Sequence, residues 1–209
     1  MKHRYIVVEG PIGSGKSTLA KLLADHYGAT LVLEDPDANP FLPLCYRDMK
    51  RHALAAQMFF LFQRVNQLAH IRQPDLFDRR TVADYMLEKD RLFARLTLDD
   101  NEYQLYSQLY AHLKPQAPAP DLVIYLQASV DHLVGRIQRR ARPMERGITE
   151  DYLARLSESY TRFFYDYADA PLLIANSDSF NFADNREHFG MLVRQIESMR
   201  GRREYFSLA

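Results

Sequence analysis

The sequence has little of what exported, membrane-spanning or nucleic-acid-binding proteins usually carry. It contains one cysteine, Cys45, so no intrachain disulfide can form, which suits a reducing compartment. No run approaches the roughly 18 apolar residues of a membrane span, and the basic start "MKHRYIVVEG" has too short an apolar run for a signal peptide. Basic and acidic residues balance at 27 each, which leaves no excess of positive charge for nucleic acid. We therefore expect a cytoplasmic protein with neither a membrane nor a nucleic-acid partner.

The pattern of apolar runs indicates an α/β fold. A chain of 209 residues with 47% hydrophobic composition can bury one core, which predicts a single domain over residues 1–209. The strand-like runs are "RYIVVE", "ATLVLE", "RTVADY", "DLVIYL" and "PLLIAN", and helical segments separate them. Near-continuous apolar strands are typical of parallel sheets with helices on both faces, so we predict a five-stranded parallel sheet of that kind. The proline-rich "KPQAPAP", residues 114–120, reads as a loop, with a domain linker as the alternative.

The most specific motif is "EGPIGSGKST", residues 9–18, directly after the first strand-like run. It fits G-x-x-x-x-G-K-[ST], the phosphate-binding P-loop, and the helical "STLAKLLADHYG" follows as that motif requires. Its backbone N–H groups would hold the phosphates of ATP, Lys16 would reach the β- and γ-phosphates, and Ser17 would bind Mg²⁺. The predicted ATP-binding residues of this loop are Gly10, Gly13, Ser14, Gly15, Lys16, Ser17 and Thr18.

Acidic residues end the second and third strand-like runs, where ligands bind in parallel sheets. "LEDPDANPFL" puts Glu34 beside the expected γ-phosphate position, where a carboxylate can accept a proton from an attacking hydroxyl. Asp35 and Asp37 follow within a "DPD" run that is ordinary turn chemistry. The third run ends in "ADY", and Asp84 either holds Mg²⁺ with Ser17 or caps the following helix.

A cluster of arginines follows the fourth strand-like run. Against a single acid, Glu145, it contains Arg136, Arg139, Arg140, Arg142 and Arg146. Guanidinium groups match phosphate oxygens in bidentate pairs, so we expect a phosphate-clamping lid over about residues 136–147. Arg136 and Arg140 are assigned to ATP, and Arg142 to catalysis. Gly135, Pro143 and Gly147 would let this lid close over the site.

Together these segments resemble a bacterial deoxynucleoside kinase. The resemblance rests on "GPIGSGKS", on Glu34 followed by "NPFL", and on "AAQMFFLFQR", "ADYMLEKDRLFA" and "RIQRRARPME", in that order along nearly the whole chain. It implies a P-loop kinase fold, transfer of the γ-phosphoryl of ATP to the 5′-hydroxyl of a deoxynucleoside in nucleotide salvage, and a homodimer formed by helix packing. It also implies an adenine pocket at "NSDSFNF", residues 176–182.

The resemblance also implies roles for individual residues. Glu34 would be the general base, and Gln57 would offer its amide to the edge of the nucleoside base. Arg64 would lie near that base, where it could donate to purine N7 or O6, so we expect purine deoxynucleosides to be preferred over thymidine. Tyr46 and Glu145 would bind the sugar 3′-hydroxyl. Asp90 matches a base-contacting aspartate only if a gap of one residue is allowed.

The chain departs from the family pattern at the end of the third strand. Many members have Glu-Arg-Ser there, whereas this chain has "ADY", so an arginine that contacts phosphate is missing. Asp84 would stand for the glutamate, and the work of the arginine must fall to the lid or be done differently.

Two other functions fit part of the pattern. A thymidylate-kinase-like enzyme shares the P-loop and the arginine lid, but its charged acceptor needs arginines rather than a carboxylate base such as Glu34. A nucleotide-dependent switch module would need a water-positioning region, which we do not recognise in the sequence.

Overall fold

The fold is a single parallel sheet between two layers of helices. The computed structural model of the chain describes residues 3–71, 80–114 and 118–208. The six strands run in the order β2-β3-β1-β4-β5-β6, and all pairs are parallel. Their bounds are β1 Tyr5–Glu9, β2 Thr30–Val32, β3 Thr81–Ala83, β4 Leu122–Gln127, β5 Leu172–Asn176 and β6 Arg203–Phe206. The α/β class predicted from the sequence is confirmed.

The expectation of five strands was wrong by one. β6 pairs with β5 from Leu172↔Arg203 to Ala175↔Phe206, at the edge of the sheet. Its sequence, "REYF", has no continuous apolar run, because only one face of β6 packs on the core. Phe206 is buried, whereas Tyr205 is 68% exposed. The near-continuous apolar pattern that identified the other five strands therefore cannot identify this one.

Eight α-helices are assigned in the described residues. Their bounds are α1 Lys16–Tyr27, α2 Leu42–Arg47, α3 Met49–Ile71, α4 Lys89–Thr97, α5 Asp100–Leu113, α6 Val130–Arg140, α7 Glu150–Asp166 and α8 Arg186–Ser198. Local capping explains several of the starts. Asp99 and Glu102 form a capping box at α5, and the side chains of Thr149 and Asn185 accept backbone N–H groups at α7 and α8. None of the helices in these ranges is long and apolar enough to cross a membrane.

Two apolar clusters bury the two faces of the sheet. One contains Leu61 of α3, Tyr106 of α5 and Tyr160 of α7 packed on one face. The other contains Leu23 of α1 and Leu192 of α8 on the opposite face. Because both faces are covered, the carboxyl ends of β1, β2 and β3 are where loops can gather polar groups. The predicted loop at residues 114–120 lies partly outside the described residues.

The sixth strand gives a stability prediction. Phe206 packs edge-on against the Phe180 ring, with 5.0 Å between the ring centroids. We expect Phe206→Ala to lower the free energy of unfolding by about 3 kcal/mol, because it removes a buried ring. The neighbouring Tyr205→Ala should change it by no more than about 0.5 kcal/mol, since that side chain is exposed. Urea unfolding of both variants checks this, and equal effects would contradict the described packing of β6.

Candidate active site

The P-loop joins β1 to α1 through glycines in left-handed conformations. Gly10 has φ of +152° and Gly15, the N-cap residue of α1, has φ of +99°. A Cβ at Gly10 would lie 2.5 Å from the Leu126 carbonyl oxygen, and one at Gly15 would lie 2.9 Å from the Phe182 ring. These glycines are therefore required by both conformation and space. Gly13 lies inside the loop, and Ser14 is fully buried.

Lys16 turns back over the loop. Its Nζ donates to the Pro11 carbonyl oxygen at 3.0 Å. Burial, and then the nearby charge of Lys89, lower the pKa of Lys16 to about 8. An anion bound in the loop would favour the charged ammonium. Thr18 borders both of the cavities that meet at this loop.

Asp84 connects the P-loop helix with the segment after β2. The Ser17 hydroxyl donates to one oxygen of the Asp84 carboxylate, and the Glu34 backbone N–H donates to the other at 2.8 Å. Asp84 is not a helix cap, because Glu88 occupies the N-cap position of α4. A hydroxyl and a carboxylate side by side at the start of α1 are oxygen ligands of the kind that Mg²⁺ prefers, so these residues fit that ion.

Glu34 is held by two cations. Nε and Nη2 of Arg64 donate to Oε1, the Nε contact at 2.8 Å, and Nζ of Lys89 donates to Oε2 at 2.9 Å. Burial by itself would raise the pKa of Glu34, but the charges of Arg64 and Lys89 and their hydrogen bonds lower it well below its usual value. Glu34 is therefore ionised at neutral pH. The adjacent Asp35 accepts a backbone N–H from Ala38, which is turn chemistry as expected.

Arg64 lies between two carboxylates. Its Nη1 pairs with Asp90, which is fully buried, while its other donors contact Glu34. Arg64 borders the cavity that also contains Lys16, Ser17 and Glu34, which we call the main cavity. Asp90 is not among the residues that line this cavity. Asp90 therefore contacts Arg64 rather than the cavity, and an Arg64 N–H can reach a ligand only by sharing or exchanging one of these contacts.

The main cavity of about 320 Å³ brings most of the predicted substrate residues together. Tyr46, Gln57, Arg64, Arg142 and Glu145 line it with Lys16, Ser17, Glu34 and Asp84. Gln57 Nε2 donates to Thr97 Oγ1 at 3.3 Å, and that hydroxyl donates to the Phe93 carbonyl oxygen at 2.7 Å. The Thr97 hydroxyl donates its proton to Phe93, so towards Gln57 it can only accept. The amide nitrogen of Gln57, which is the donor, therefore faces Thr97. Gln57 Oε1 is buried with no partner among the described residues and can accept from a ligand.

The lid arginines have different surroundings. Nε of Arg140 donates to Glu145 at 3.1 Å, and its Nη2 donates to the other oxygen of the same carboxylate. Arg140 is predicted to bind phosphate and Glu145 to bind the sugar. Each would have to give up contacts of this ion pair to do so. Arg136 donates to the Ser14 carbonyl oxygen at 3.2 Å and to Ser177 O at 2.6 Å. Arg142 precedes the 3₁₀ helix Pro143–Gly147 and borders the main cavity.

A second cavity of about 630 Å³ lies on the other side of the P-loop. It is lined by Gly13, Gly15, Arg136 and the loop after β5, from Ser177 to Asp184. Phe180 and Phe182 contribute aromatic rings, and Asp178 and Asn181 contribute polar groups. The expected adenine pocket at residues 176–182 falls here.

Two buried charged residues were not identified from the sequence. Lys89 was quoted only within the segment "ADYMLEKDRLFA", with no role given to it, although its ammonium contacts Glu34. Glu9 ends β1 and accepts from the N–H of Gly10 at 3.0 Å, the N–H of Met86 at 2.8 Å and the hydroxyl of Tyr160 at 3.1 Å. Burial raises the pKa of Glu9. In the sequence, the position of Glu9 at the carboxyl end of the first strand was the one feature that could have indicated a site residue.

A family model described as deoxynucleoside kinase matches residues 6–199 of this chain. The chain belongs to the deoxynucleoside kinase family. It is 32% identical over 208 residues to a deoxyadenosine kinase of Lactobacillus acidophilus, with 93% of this chain and 95% of that protein covered. It is also 32% identical over 200 residues to a deoxyguanosine kinase of Bacillus subtilis, with 93% and 97% covered. The resemblance stated from the motifs is confirmed, and this kinase is a phosphotransferase that acts on a hydroxyl group.

Solved structures share the fold of this kinase. The structure of deoxyadenosine kinase from M. mycoides with bound dATP matches with a TM-score of 0.81 at 24% sequence identity. The match covers 93% of this chain and 100% of that one. The same enzyme with the product dCMP and a flexible dCDP matches with a TM-score of 0.82. At this identity the likeness establishes the fold.

Two glycines near the lid allow a matched test of its packing. A Cβ at Gly147 would lie 2.6 Å from the Tyr46 carbonyl oxygen, whereas one at Gly135 would meet nothing within 4 Å. We expect Gly147→Ala to move the lid away from Tyr46 and to raise the KM for the deoxynucleoside several-fold. Gly135→Ala lies inside α6 and should stabilise the protein by up to about 1 kcal/mol with KM unchanged. Steady-state kinetics and urea unfolding check both, and a normal KM in Gly147→Ala would contradict the described contact.

Proposed function

We propose that this kinase transfers the γ-phosphoryl group of ATP to the 5′-hydroxyl of a purine deoxynucleoside in nucleotide salvage. The observation that carries the proposal is Glu34. It is a carboxylate fixed by Arg64 and Lys89, and it lines the same cavity as the P-loop residues Lys16 and Ser17. A phosphate site and an ionised proton acceptor in one cavity are what transfer to a neutral hydroxyl requires.

The residues around the P-loop would hold the donor. Backbone N–H groups at the start of α1 and the Lys16 ammonium would bind the β- and γ-phosphates. Ser17 and Asp84 would hold Mg²⁺, which when bound neutralises phosphate charge. Arg142 would come from the lid to the transferring group, where charge is best matched during transfer. Arg136 and Arg140 would contact the donor at the border of the second cavity, and its adenine would lie among residues 176–184.

Glu34 would accept the proton of the 5′-hydroxyl. A carboxylate with a lowered pKa is a weak base, so by itself it does not remove a proton from an alcohol. In a loose transition state, however, little bond to the attacking oxygen has formed, and the hydroxyl becomes acidic late in the transfer. The role of Glu34 is then to stay ionised, to orient the hydroxyl by a hydrogen bond and to take the proton as the O–P bond forms.

The acceptor would lie along the walls of the main cavity. Tyr46 and Glu145 would bind the sugar 3′-hydroxyl, and burial, Tyr152 and Glu145 raise the pKa of Tyr46, so its phenol stays protonated and can donate. Gln57 would accept from or donate to the base edge, with Arg64 and Asp90 beside it. The relatives named deoxyadenosine and deoxyguanosine kinases support a purine preference.

We also propose that the protein is a cytoplasmic homodimer that associates through its helices. Phe62 on α3 and Leu105 on α5 are 47% and 51% exposed, and these two helices pack against each other. The family resemblance and this exposed apolar surface support the proposal.

A panel of acceptors tests the proposed reaction. With labelled ATP, we expect deoxyadenosine and deoxyguanosine to have a higher kcat/KM than thymidine, and deoxynucleoside monophosphates to be poor acceptors. 2′,3′-Dideoxyadenosine should be used at least roughly 10-fold less well than deoxyadenosine, because it leaves Tyr46 and Glu145 without their partner. Preference for a monophosphate would instead support a thymidylate-kinase-like enzyme, and no acceptor-dependent turnover would contradict the kinase proposal.

A second test removes the proposed proton acceptor. We expect Glu34→Gln to lower kcat by roughly 100-fold or more while changing nucleoside binding only a few-fold, as for loss of a general base. Asp37→Asn is the matched control, because it removes an exposed carboxylate from the same loop and should leave kcat unchanged. Single-turnover measurements separate chemistry from product release, and a normal kcat in Glu34→Gln would exclude the assigned role.

A further inference from the structure

The Glu34 carboxylate is held by Arg64 and by a lysine close to the position where the family pattern has the missing arginine. Tyr85 occupies the position at which the family pattern has that arginine. Its side chain is fully buried, and its hydroxyl donates to Gln67 Oε1 at 2.7 Å. Tyr85 therefore offers no charge to Glu34, and the cation must come from elsewhere.

Lys89, four residues further on, supplies that charge. It is 2% exposed, its Nζ lies 2.9 Å from Glu34 Oε2, and the ammonium lies 5.7 Å from the centroid of the Tyr85 ring. The Lys89 ammonium thus lies over the ring of Tyr85 and contacts the Glu34 carboxylate. Its position is set by the main chain, since it is the first residue of α4.

This placement is unfavourable for stability alone. Burying an ammonium group costs free energy, and a positive charge at a helix N-terminus opposes the helix dipole. Lys89 also lies close enough to Lys16 for the two positive charges to repel each other. A neutral side chain would avoid these costs but would leave Glu34 Oε2 without its cation, so we attribute the charge to the carboxylate that Lys89 holds.

We propose that Lys89 is a positioning residue for phosphoryl transfer, which orients the Glu34 carboxylate. The inference rests on the proposed function. Arg64 holds only Oε1, so without Lys89 the carboxylate could rotate about its terminal bond. In the transfer, the 5′-oxygen forms a bond to the γ-phosphorus, its proton passes to Glu34, and the bond to the β-phosphate oxygen breaks with its electron pair leaving on ADP. Lys89 keeps its own protons throughout.

The test compares charge-free and charge-preserving substitutions in the full-length enzyme. Lys89→Met should lower kcat by about 10- to 100-fold, with the KM values for ATP and deoxyadenosine changed by less than about 3-fold, because the lost orientation matters during transfer. Lys89→Arg should recover kcat to within about 5-fold of wild type. Arg91→Met removes an exposed cation from the same helix and should have wild-type kinetics. A normal kcat in Lys89→Met, or no recovery in Lys89→Arg, would overturn the proposal.

A double-mutant cycle tests whether Lys89 acts through Glu34. In the double variant with Glu34→Gln, Lys89→Met should lower kcat no further than Glu34→Gln alone. Multiplicative losses would mean that Lys89 acts on the phosphates instead and would overturn the inference. Lys89→Gln provides a second charge-free variant. If urea or thermal unfolding shows that neither charge-free variant is folded under the assay conditions, Lys89 has a structural role and the proposal is overturned. Failure of the wild-type acceptor panel is a separate result, because it concerns the reaction and not Lys89.

Discussion

The two hydrogen bonds to the Asp84 carboxylate fix the geometry on which the rest of the site depends. One comes from Ser17 in the first turn of α1, and the other from the backbone N–H of Glu34 after β2. Since Asp84 itself follows β3, a single side chain joins three segments that are far apart in sequence. The parallel sheet makes this possible, because all three segments leave it at the same edge. The Asp84 side chain therefore fixes the distance between the P-loop and Glu34.

The charges at this edge are paired with one another more than with solvent. Arg64 forms salt bridges with both Glu34 and Asp90. Glu34 forms a second salt bridge with Lys89, and Glu145 forms one with Arg140. Such pairs are needed because an unpaired charge in a buried position costs several kcal/mol. Glu9 is different, since its hydrogen bonds come from two backbone N–H groups and a tyrosine hydroxyl rather than from a cation. It ties the P-loop to the segment after β3 and to α7.

The features that could be predicted from the sequence are those whose residues are close together along the chain. The P-loop and the five strands other than β6 are contiguous patterns, and Glu34 could be found because it follows a strand. β6 escaped because "REYF" is half-exposed at the sheet edge. Lys89 could not be identified because its contact with Glu34 joins residues 55 positions apart in sequence. The pairing of Arg140 with Glu145 is local, but whether an arginine meets a phosphate or a nearby carboxylate is decided by three-dimensional position.

The contacts of Arg136 attach the helix that leads into the lid to the wall of the second cavity. The same guanidinium group donates to the Ser14 carbonyl oxygen in the P-loop and to Ser177 in the loop after β5, and it belongs to the helix that leads into the lid. The first part of α6 is thereby attached to the nucleotide-binding framework, and the chain reverses only at Ala141, which has φ of +52°. A ligand that alters the contacts of Arg136 in one cavity thus alters a helix that borders the other. Linkage of this kind is reciprocal, so each of two such ligands would change the affinity of the other by the same factor.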